Sequence, residues 1–137
     1  MPGTPLVEPS NRRRTLDAEN MNQAAYVLDE IRRGAVLNAI QQVCAYRAWI
    51  LLAAHVRTNH VHVVVEADPL PEKVMNDFKT YASRGLNKMK IDLPDRKRWS
   101  RHGSTRYLWN PLQIAAAMHY VTAEQGEPMS VYERFED

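Results

Sequence analysis

Two histidines separated by one residue are the first feature of this sequence that could do chemistry. They are His60 and His62, in the segment TNHVHVVVE at residues 58–66. The alternation in this segment predicts a β-strand with both histidines on one face and three valines on the other. Imidazoles two residues apart on a strand lie side by side, close enough to bind one metal ion. The alternative is a chance pair without a metal, and the rest of the chain has to decide between the two.

Tyr120 is the second candidate for chemistry, on a helix near the end of the chain. Asn110 and Pro111 predict the N-cap and first residue of this helix, which runs to about Glu124 and stops at Gly126. Its apolar stripe consists of Ile114, Met118 and Val121. At 3.6 residues per turn, Tyr120 lies more than about 90° from the middle of that stripe. We expect Tyr120 to be presented beside a carboxylate one turn later, and the alternative is a partly buried tyrosine at a helix–sheet edge.

Basic and aromatic residues are interleaved after the middle of the chain. From residue 84 to residue 106 there are eight Lys or Arg and two Asp. Basic side chains neutralise phosphates, and flat rings stack on exposed bases, as a surface for single-stranded nucleic acid requires. The candidate DNA-binding residues are Arg84, Lys88, Arg98, Trp99, Arg101, His102, Arg106 and Trp109. A solvated loop with one buried tryptophan is the alternative, and composition favours neither.

The elements that must position these residues can be predicted from the pattern around them. Asp29 caps a helix that runs to about residue 45, and the apolar run at 49–56 predicts a strand buried on both faces. Residues 57–59 make a tight connection, so this strand and the histidine strand form an antiparallel hairpin. Pro71 begins another helix. His55 is interpreted as a strand-end residue, with a role in the site not favoured.

Composition restricts the fold class, the number of domains and the location that this sequence predicts. The chain has 137 residues, 45% of them hydrophobic, and a formal net charge of +2, which predicts one domain with a core. The lone Cys44 excludes an internal disulfide and predicts core packing. No signal peptide or membrane-spanning stretch is evident, so we expect a cytoplasmic protein without a membrane partner. Residues 1–25 contain three prolines and three consecutive arginines, and we expect a flexible arm followed by one domain at 26–137.

Four segments, taken in order, resemble the single-tyrosine HUH transposases, the family of insertion-sequence and REP-associated tyrosine transposases. The first is NHVHVVV at 59–65, after an apolar strand, and the second is NDFKTYASRGLN at 76–87. The third is RHGSTRYLW at 101–109, and the fourth is HYVTAEQG at 119–126. The likeness runs from about residue 26 to the end of the chain. The histidine pair alone is weakly specific, whereas the ordered set of four is considerably stronger.

The resemblance implies an α+β fold, a ferredoxin-like antiparallel sheet with helices on one face. Family members open with a strand in the middle of the sheet. Before residue 26 the sequence offers no good candidate for that strand, and Val27 and Leu28 can form at most its end. We therefore expect the first strand to be missing or short.

The resemblance also implies an activity, namely metal-dependent cleavage and transfer of single-stranded DNA through a 5′-phosphotyrosine intermediate. Tyr120 maps to the nucleophile, and His60 and His62 map to ligands of Mg²⁺ or Mn²⁺. The third ligand maps to Glu124 by spacing or to Gln125 by residue type, and both stay open. The implied partners are hairpin ends of single-stranded DNA and a second copy in a homodimer. Tyr81 and Tyr107 are rival nucleophiles, expected to cover the sheet and to pack or stack, respectively.

Two other functions stay open at this stage. The same scaffold can serve as a non-catalytic or decayed domain that binds single-stranded nucleic acid through its basic and aromatic residues. A weaker alternative is a metal-binding fold in which the histidines only stabilise the protein.

Overall fold

Eight elements follow one another in the computed structural model, which describes residues 13–19, 26–93, 96–99, 103–108, 110–123 and 129–134. In chain order they are β1 (Arg13–Glu19), α1 (Glu30–Arg47), β2 (Ile50–Val56), β3 (His60–Glu66), α2 (Pro71–Met89), β4 (Gly103–Tyr107), α3 (Pro111–Ala123) and β5 (Ser130–Glu133).

The strands form one five-stranded sheet in the order β4-β1-β3-β2-β5, and every neighbouring pair is antiparallel. The predicted α+β fold with an antiparallel sheet is confirmed. The predicted hairpin of β2 and β3 is confirmed as well, and the Arg57 amide donates to the His60 carbonyl across its turn at 2.8 Å. The histidine strand β3 lies in the centre of the sheet, so its backbone is paired on both sides.

Strand β1 is an internal strand of the sheet in a region predicted to be a flexible arm. Its presence also corrects the prediction that the first strand is missing or short. Residues 13–19 form a seven-residue strand that pairs with β3 on one side and β4 on the other. Leu16 lies opposite Val63, and Asp17 lies opposite His62. Leu16 and Arg14 are both buried. The strand escapes prediction because RRTLDAE contains one large apolar residue, and its strand conformation comes from its two neighbours rather than from its own pattern.

A first core lies between one face of the sheet and helices α1 and α2. Val61, Val63 and Val65 face it from β3, as their alternation predicts. The helices contribute Val36, Ala39, Ile40, Val43, Cys44, Val74, Phe78, Ala82 and Leu86. Helix α1 begins after Asp29, whose Oδ1 accepts from the Arg32 amide at 2.9 Å, so the predicted cap is confirmed.

A second core lies on the opposite face, where α3 packs. Ala117 and Val121 of α3 contact Leu52 and Ala53 of β2 and Val64 of β3. The helices therefore occupy both faces of the sheet, which corrects the expectation that all of them lie on one. The physical reason is that Val64, on the histidine face of β3, is as apolar as the valines on the other face and needs its own cover.

A β-bulge in β2 decides which residues reach each core. Leu51 is paired with Val65, whereas Ala53 is paired with Val64, so one extra residue is inserted in β2. Leu51 and Ala54 join the first core, and the two residues between them join the second. The bulge thus shifts the alternation of β2 by one residue along the rest of the strand.

Two strand predictions need correction or addition. The aromatic and apolar residues at 106–109 predict a short strand there, whereas strand β4 begins at Gly103 and ends at Tyr107. Strand β5 was not predicted, because it is four residues long and none of its side chains is fully buried. Among the helices of the described ranges, none combines the length and apolar character needed to cross a membrane.

Candidate active site

His60 and His62 lie side by side on β3, as the sequence predicts. Their ring centroids are 5.8 Å apart, and the two ring planes are within 3° of parallel. His62 is 8% exposed, and His60 is half-buried. Because both rings project from the same face of a central strand, this pair is held rigidly and can supply two nitrogen ligands to one cation.

Asn59 sets the tautomer of His60. The His60 Nδ1 lies 2.7 Å from the Asn59 Oδ1. An amide oxygen can only accept, so Nδ1 carries the proton and the lone pair of the neutral ring is on Nε2. Histidines that bind metals commonly donate their other ring nitrogen in this way. The donor set therefore fits a divalent cation that accepts imidazole nitrogen, such as Mn²⁺.

Helix α3 brings Tyr120 to the same face of the sheet. The buried residues of α3 are Ala117 and Val121, and Ile114 and Met118 are partly buried beside them. Tyr120 lies off this stripe and is 50% exposed, as the helical spacing predicts. Tyr120 is therefore presented outward from a helix that packs on the face carrying His60 and His62.

His55 joins α3 to the sheet and is a residue whose importance the sequence interpretation missed. It is fully buried and lies opposite His62 in the pairing of β2 with β3. Its Nδ1 lies 2.9 Å from the Val121 carbonyl oxygen, and the Met129 amide donates to its Nε2 at 3.0 Å. Burial lowers the pKa of His55; the bond to Val121 opposes this shift, and nearby Arg57 and His62 lower the pKa further. The tight hairpin, which places residue 55 opposite residue 62, is the signal that could have found it.

The proposed third metal ligand falls outside the described residues. Glu124 and Gln125 directly follow the last residue of α3, Ala123, and lie in the range 124–128 that the structure does not describe. Within the described ranges no group of three or more His, Cys, Asp or Glu residues is arranged to hold a metal ion. The metal proposal therefore stands on His60 and His62 and stays a prediction for the third ligand.

The predicted DNA-binding residues are divided between different environments. Arg84 and Lys88 are exposed on α2, which packs on the face of the sheet opposite to the histidines. Arg106 lies on β4, where its backbone pairs with that of Thr15 of β1. Three further candidates lie outside the described residues: Arg101, His102 and Trp109.

Arg98 and Trp99 lie in packed positions rather than on an open basic surface. Arg98 is 5% exposed, and its guanidinium donates to Asp92, Asn87 and the Tyr26 hydroxyl. Trp99 is partly buried against the first core and donates from Nε1 to the Ser83 Oγ at 2.9 Å. The donors of Arg98 are directed to protein acceptors, so it is a structural residue. This corrects the prediction that Arg98 contacts DNA.

Tyr81 and the cysteine occupy the positions expected of them, whereas Tyr107 is exposed. Tyr81 packs partly buried against the first core, with the Arg84 guanidinium 5.6 Å from its ring centroid. Tyr107 lies on β4, paired with Arg14 of β1, away from the face that α3 covers. Burial raises the pKa of the Cys44 thiol to about 12, which makes it an inert core residue.

Comparisons with known proteins bear on the family and the fold of this chain. A family model described as "Transposase IS200 like" matches residues 8–121. A REP-associated tyrosine transposase, solved bound to a REP hairpin, matches with a TM-score of 0.65 and 13% identity, over 90% of this chain and 72% of the other. A protein of Deinococcus radiodurans R1 assigned as a transposase matches with a TM-score of 0.59 and 15% identity, over 80% of this chain and 87% of the other. No curated protein sequence gives a significant match.

Proposed function

Because this chain belongs to the family of IS200-like transposases, we propose that it cleaves single-stranded DNA and transfers the cut strand through Tyr120. One observation carries the proposal. The face of the sheet that presents His60 and His62 is the face on which α3 packs, and α3 holds Tyr120 outward from its buried stripe. A nucleophile and a candidate metal site are therefore built on two rigid elements that contact each other.

Tyr120 acts as the nucleophile in this proposal. Its Oη forms a bond to the phosphorus of the scissile phosphodiester, and the bond between that phosphorus and the 3′ oxygen breaks. The phenol proton passes to solvent, and the released 3′ oxygen takes up a proton from solvent. The 5′-phosphotyrosine retains the energy of the broken phosphodiester, so attack by another 3′ hydroxyl reverses the step and rejoins DNA without ATP.

His60 and His62 hold a divalent cation, with Glu124 or Gln125 as the third ligand. When bound, Mg²⁺ or Mn²⁺ supplies positive charge that offsets the charge of the phosphate and helps to orient it. The bond from His60 to Asn59 keeps one imidazole in the tautomer that this role requires. A phenol hydroxyl is a weak nucleophile toward an anionic phosphate, so the reaction of Tyr120 would depend on that positive charge.

The DNA substrate is proposed to be a hairpin end. The REP-associated tyrosine transposase that shares the fold was solved with a REP hairpin bound, and this chain covers 72% of that chain. Arg84 and Lys88 on the outer side of α2 supply positive charge for the DNA backbone.

The decisive experiment is covalent capture on DNA. The chain is incubated with a labelled single-stranded hairpin and Mn²⁺, and the products are separated on a denaturing gel. We expect a protein–DNA adduct that Tyr120→Phe abolishes, because phenylalanine lacks the attacking oxygen. Tyr46→Phe is the matched control, since Tyr46 is 73% exposed on α1, on the other side of the sheet, and loses the same hydroxyl. An adduct that persists in Tyr120→Phe would refute the proposed nucleophile.

A second candidate function is binding of single-stranded DNA without cleavage. The exposed basic residues Arg84 and Lys88 of α2 are the observation that favours it, because contacts with the DNA backbone require neither a metal ion nor Tyr120. Salt-sensitive binding of the hairpin without any adduct, in Mg²⁺ or Mn²⁺, would support this function over the first.

A further inference from the structure

His55 of β2 connects three parts of the chain: β2 itself, α3 and the residue before β5. Its fully buried ring bonds to α3 through Nδ1 and to the residue before β5 through Nε2. A carbonyl oxygen accepts and an amide N–H donates, so the ring is neutral with its proton on Nδ1. Both ring nitrogens are thus used to connect segments that are separated from β2 by more than 60 residues.

The bulge in β2 lets His55 face α3 while Leu51 of the same strand faces the first core. Without the extra residue at Leu52, the alternation that begins with Leu51 in the first core would place residue 55 in that same core. With it, Ala53 and His55 share the face of Val64 and His62. Bulges are frequent next to active sites, where they redirect a side chain, and this one redirects the ring that contacts the end of α3.

The bond to Val121 fixes the last turn of α3. The last four carbonyls of a helix have no partner within the helix, and Val121 belongs to this turn. The buried His55 ring donates from Nδ1 to the Val121 carbonyl oxygen and so gives this carbonyl a partner. The neighbouring residue in the chain is Tyr120, so rotation or translation of this turn would move the tyrosine directly.

We propose that His55 is a positioning residue that holds the last turn of α3, and with it Tyr120, in place on the face of the sheet that carries His60 and His62. The inference rests on the proposed function, in which Tyr120 is the nucleophile. His55 itself touches neither DNA nor metal in this role. It also accepts a hydrogen bond from the Met129 amide, directly before β5.

Two substitutions separate the two bonds of His55. In His55→Asn the side-chain amide nitrogen replaces Nδ1, so the bond to Val121 is retained and the bond from Met129 is lost. In His55→Gln the amide oxygen replaces Nε2, so the bond from Met129 is retained and the bond to Val121 is lost. Val43→Ala is the stability control, because Val43 is buried in the first core, on the other side of the sheet from α3.

The readouts are the single-turnover rate of adduct formation at saturating hairpin DNA, the Kd for that DNA, and hydrogen exchange of the backbone amides. We expect His55→Gln to lower the rate by about 10- to 100-fold with an unchanged Kd, since a displacement near 1 Å is sufficient for such a loss. His55→Asn should keep the rate closer to wild type, and its Met129 amide should exchange faster. Val43→Ala should leave the rate unchanged at temperatures well below its Tm.

Equal rates in wild type and His55→Gln would overturn the proposal, as would a loss of rate in Val43→Ala that matches its loss of Tm. If the wild-type chain forms no adduct at all, the proposed function fails. Hydrogen exchange of the backbone amides then tests, without any activity, whether His55 holds the last turn of α3. Faster exchange of the α3 amides in His55→Gln but not in His55→Asn would support the positioning role. Unchanged exchange in both variants would refute it.

Discussion

Asn59 controls how His60 can bind a cation. The 2.7 Å bond between the Asn59 Oδ1 and the His60 Nδ1 fixes the proton on Nδ1 and leaves Nε2 as the basic nitrogen. The same bond restrains the rotation of the ring, which is parallel to that of His62. Asn59 belongs to the turn of the hairpin, so the turn and the ligand geometry are set together.

Replacing Asn59 by alanine should weaken metal binding without unfolding the protein. We expect the affinity for Mn²⁺ to fall by about 10- to 100-fold, because the supporting bond that orients His60 is lost. Titration calorimetry with Mn²⁺ measures the change. Asn76→Ala, an equivalent substitution at an exposed position of α2, is the control and should leave the affinity unaltered. An equal affinity in Asn59→Ala, with binding abolished in His60→Ala, would show that the bond has no such role.

The residues of the candidate site differ in how far their own sequence reveals them. The faces of His60, His62 and Tyr120 follow from the period of one strand and one helix, and the described structure agrees with all three. The face of His55 follows from its place opposite His62 in the hairpin, but its partners Val121 and Met129 lie more than 60 residues away and have no local signal. Arg14 was missed for a similar reason. It is buried and donates from Nη2 to the Ala67 carbonyl at 2.9 Å, a contact that only the pairing of β1 with β3 creates.

At the scale of elements, one carboxylate joins the chain that follows α2 to helix α1 and to the segment before α1. Asp92 accepts from the Arg32 Nη2 at 2.9 Å, the Arg98 Nη2 at 3.1 Å and the Tyr26 hydroxyl at 2.8 Å. Although burial acts to raise the pKa of Asp92, the hydrogen bonds from Arg32, Tyr26 and Arg98 outweigh it and hold the pKa below its ordinary value of 3.8. The ionised form is therefore stabilised by folding.

Asp92→Asn should destabilise the protein at neutral pH and lose its effect in acid. We expect the free energy of unfolding to fall by about 1.5–3 kcal/mol at pH 7, because two guanidinium groups lose a charged acceptor. A lowered pKa gives stability that is present above the unfolded-state value near 3.8 and is lost as the pH falls through the lower folded-state value. The difference between wild type and variant should therefore shrink below about pH 4.

Urea unfolding at a series of pH values measures this difference. Glu30→Gln removes the same charge from an exposed position in the first turn of α1 and is the control. We expect it to change the free energy of unfolding by no more than about 0.5 kcal/mol. A difference for Asp92→Asn that stays constant from pH 7 to pH 3 would contradict the assignment of the stabilisation to the ionised carboxylate.

The elements also show where prediction from one sequence ends. The starts of α1, α2 and α3 agree with the prediction because caps and a first-turn proline are local signals, and α1 ends two residues beyond its predicted end. Strand β1 was interpreted as part of an arm because its seven residues include two arginines and two carboxylates around Leu16. A strand between two others receives its hydrogen bonds from both, so partners far along the chain can impose a conformation that its composition does not favour.

At the scale of the whole molecule, the sheet separates two surfaces that sequence analysis had combined. The resemblance implied helices on one face, whereas α1 and α2 cover one face and α3 covers the other. Arg84 and Lys88 lie on α2, and His60 and His62 lie on the side of α3. Helix α2 nevertheless runs back from the end of β3, so its last turns return toward the end of the sheet at which β3 begins. In the proposed function, DNA bound by these basic residues would pass around that end to reach Tyr120.

This separation predicts that DNA affinity and cleavage can be altered independently. Neutralising both basic residues, in Arg84→Gln with Lys88→Gln, should weaken hairpin binding and lower the slope of log K against log salt by about 1.4, that is about 0.7 for each phosphate contact with a single strand. The rate of adduct formation at saturating DNA should stay unchanged, because neither residue is on the face of Tyr120. Binding measured by fluorescence anisotropy across a salt series, together with single-turnover rates, tests both statements.

Arg47→Gln with Lys73→Gln is the matched control, since it removes the same charge from residues that both pair with Asp77. An equal change of slope in the two double variants would mean that net charge, rather than this end of α2, attracts the DNA.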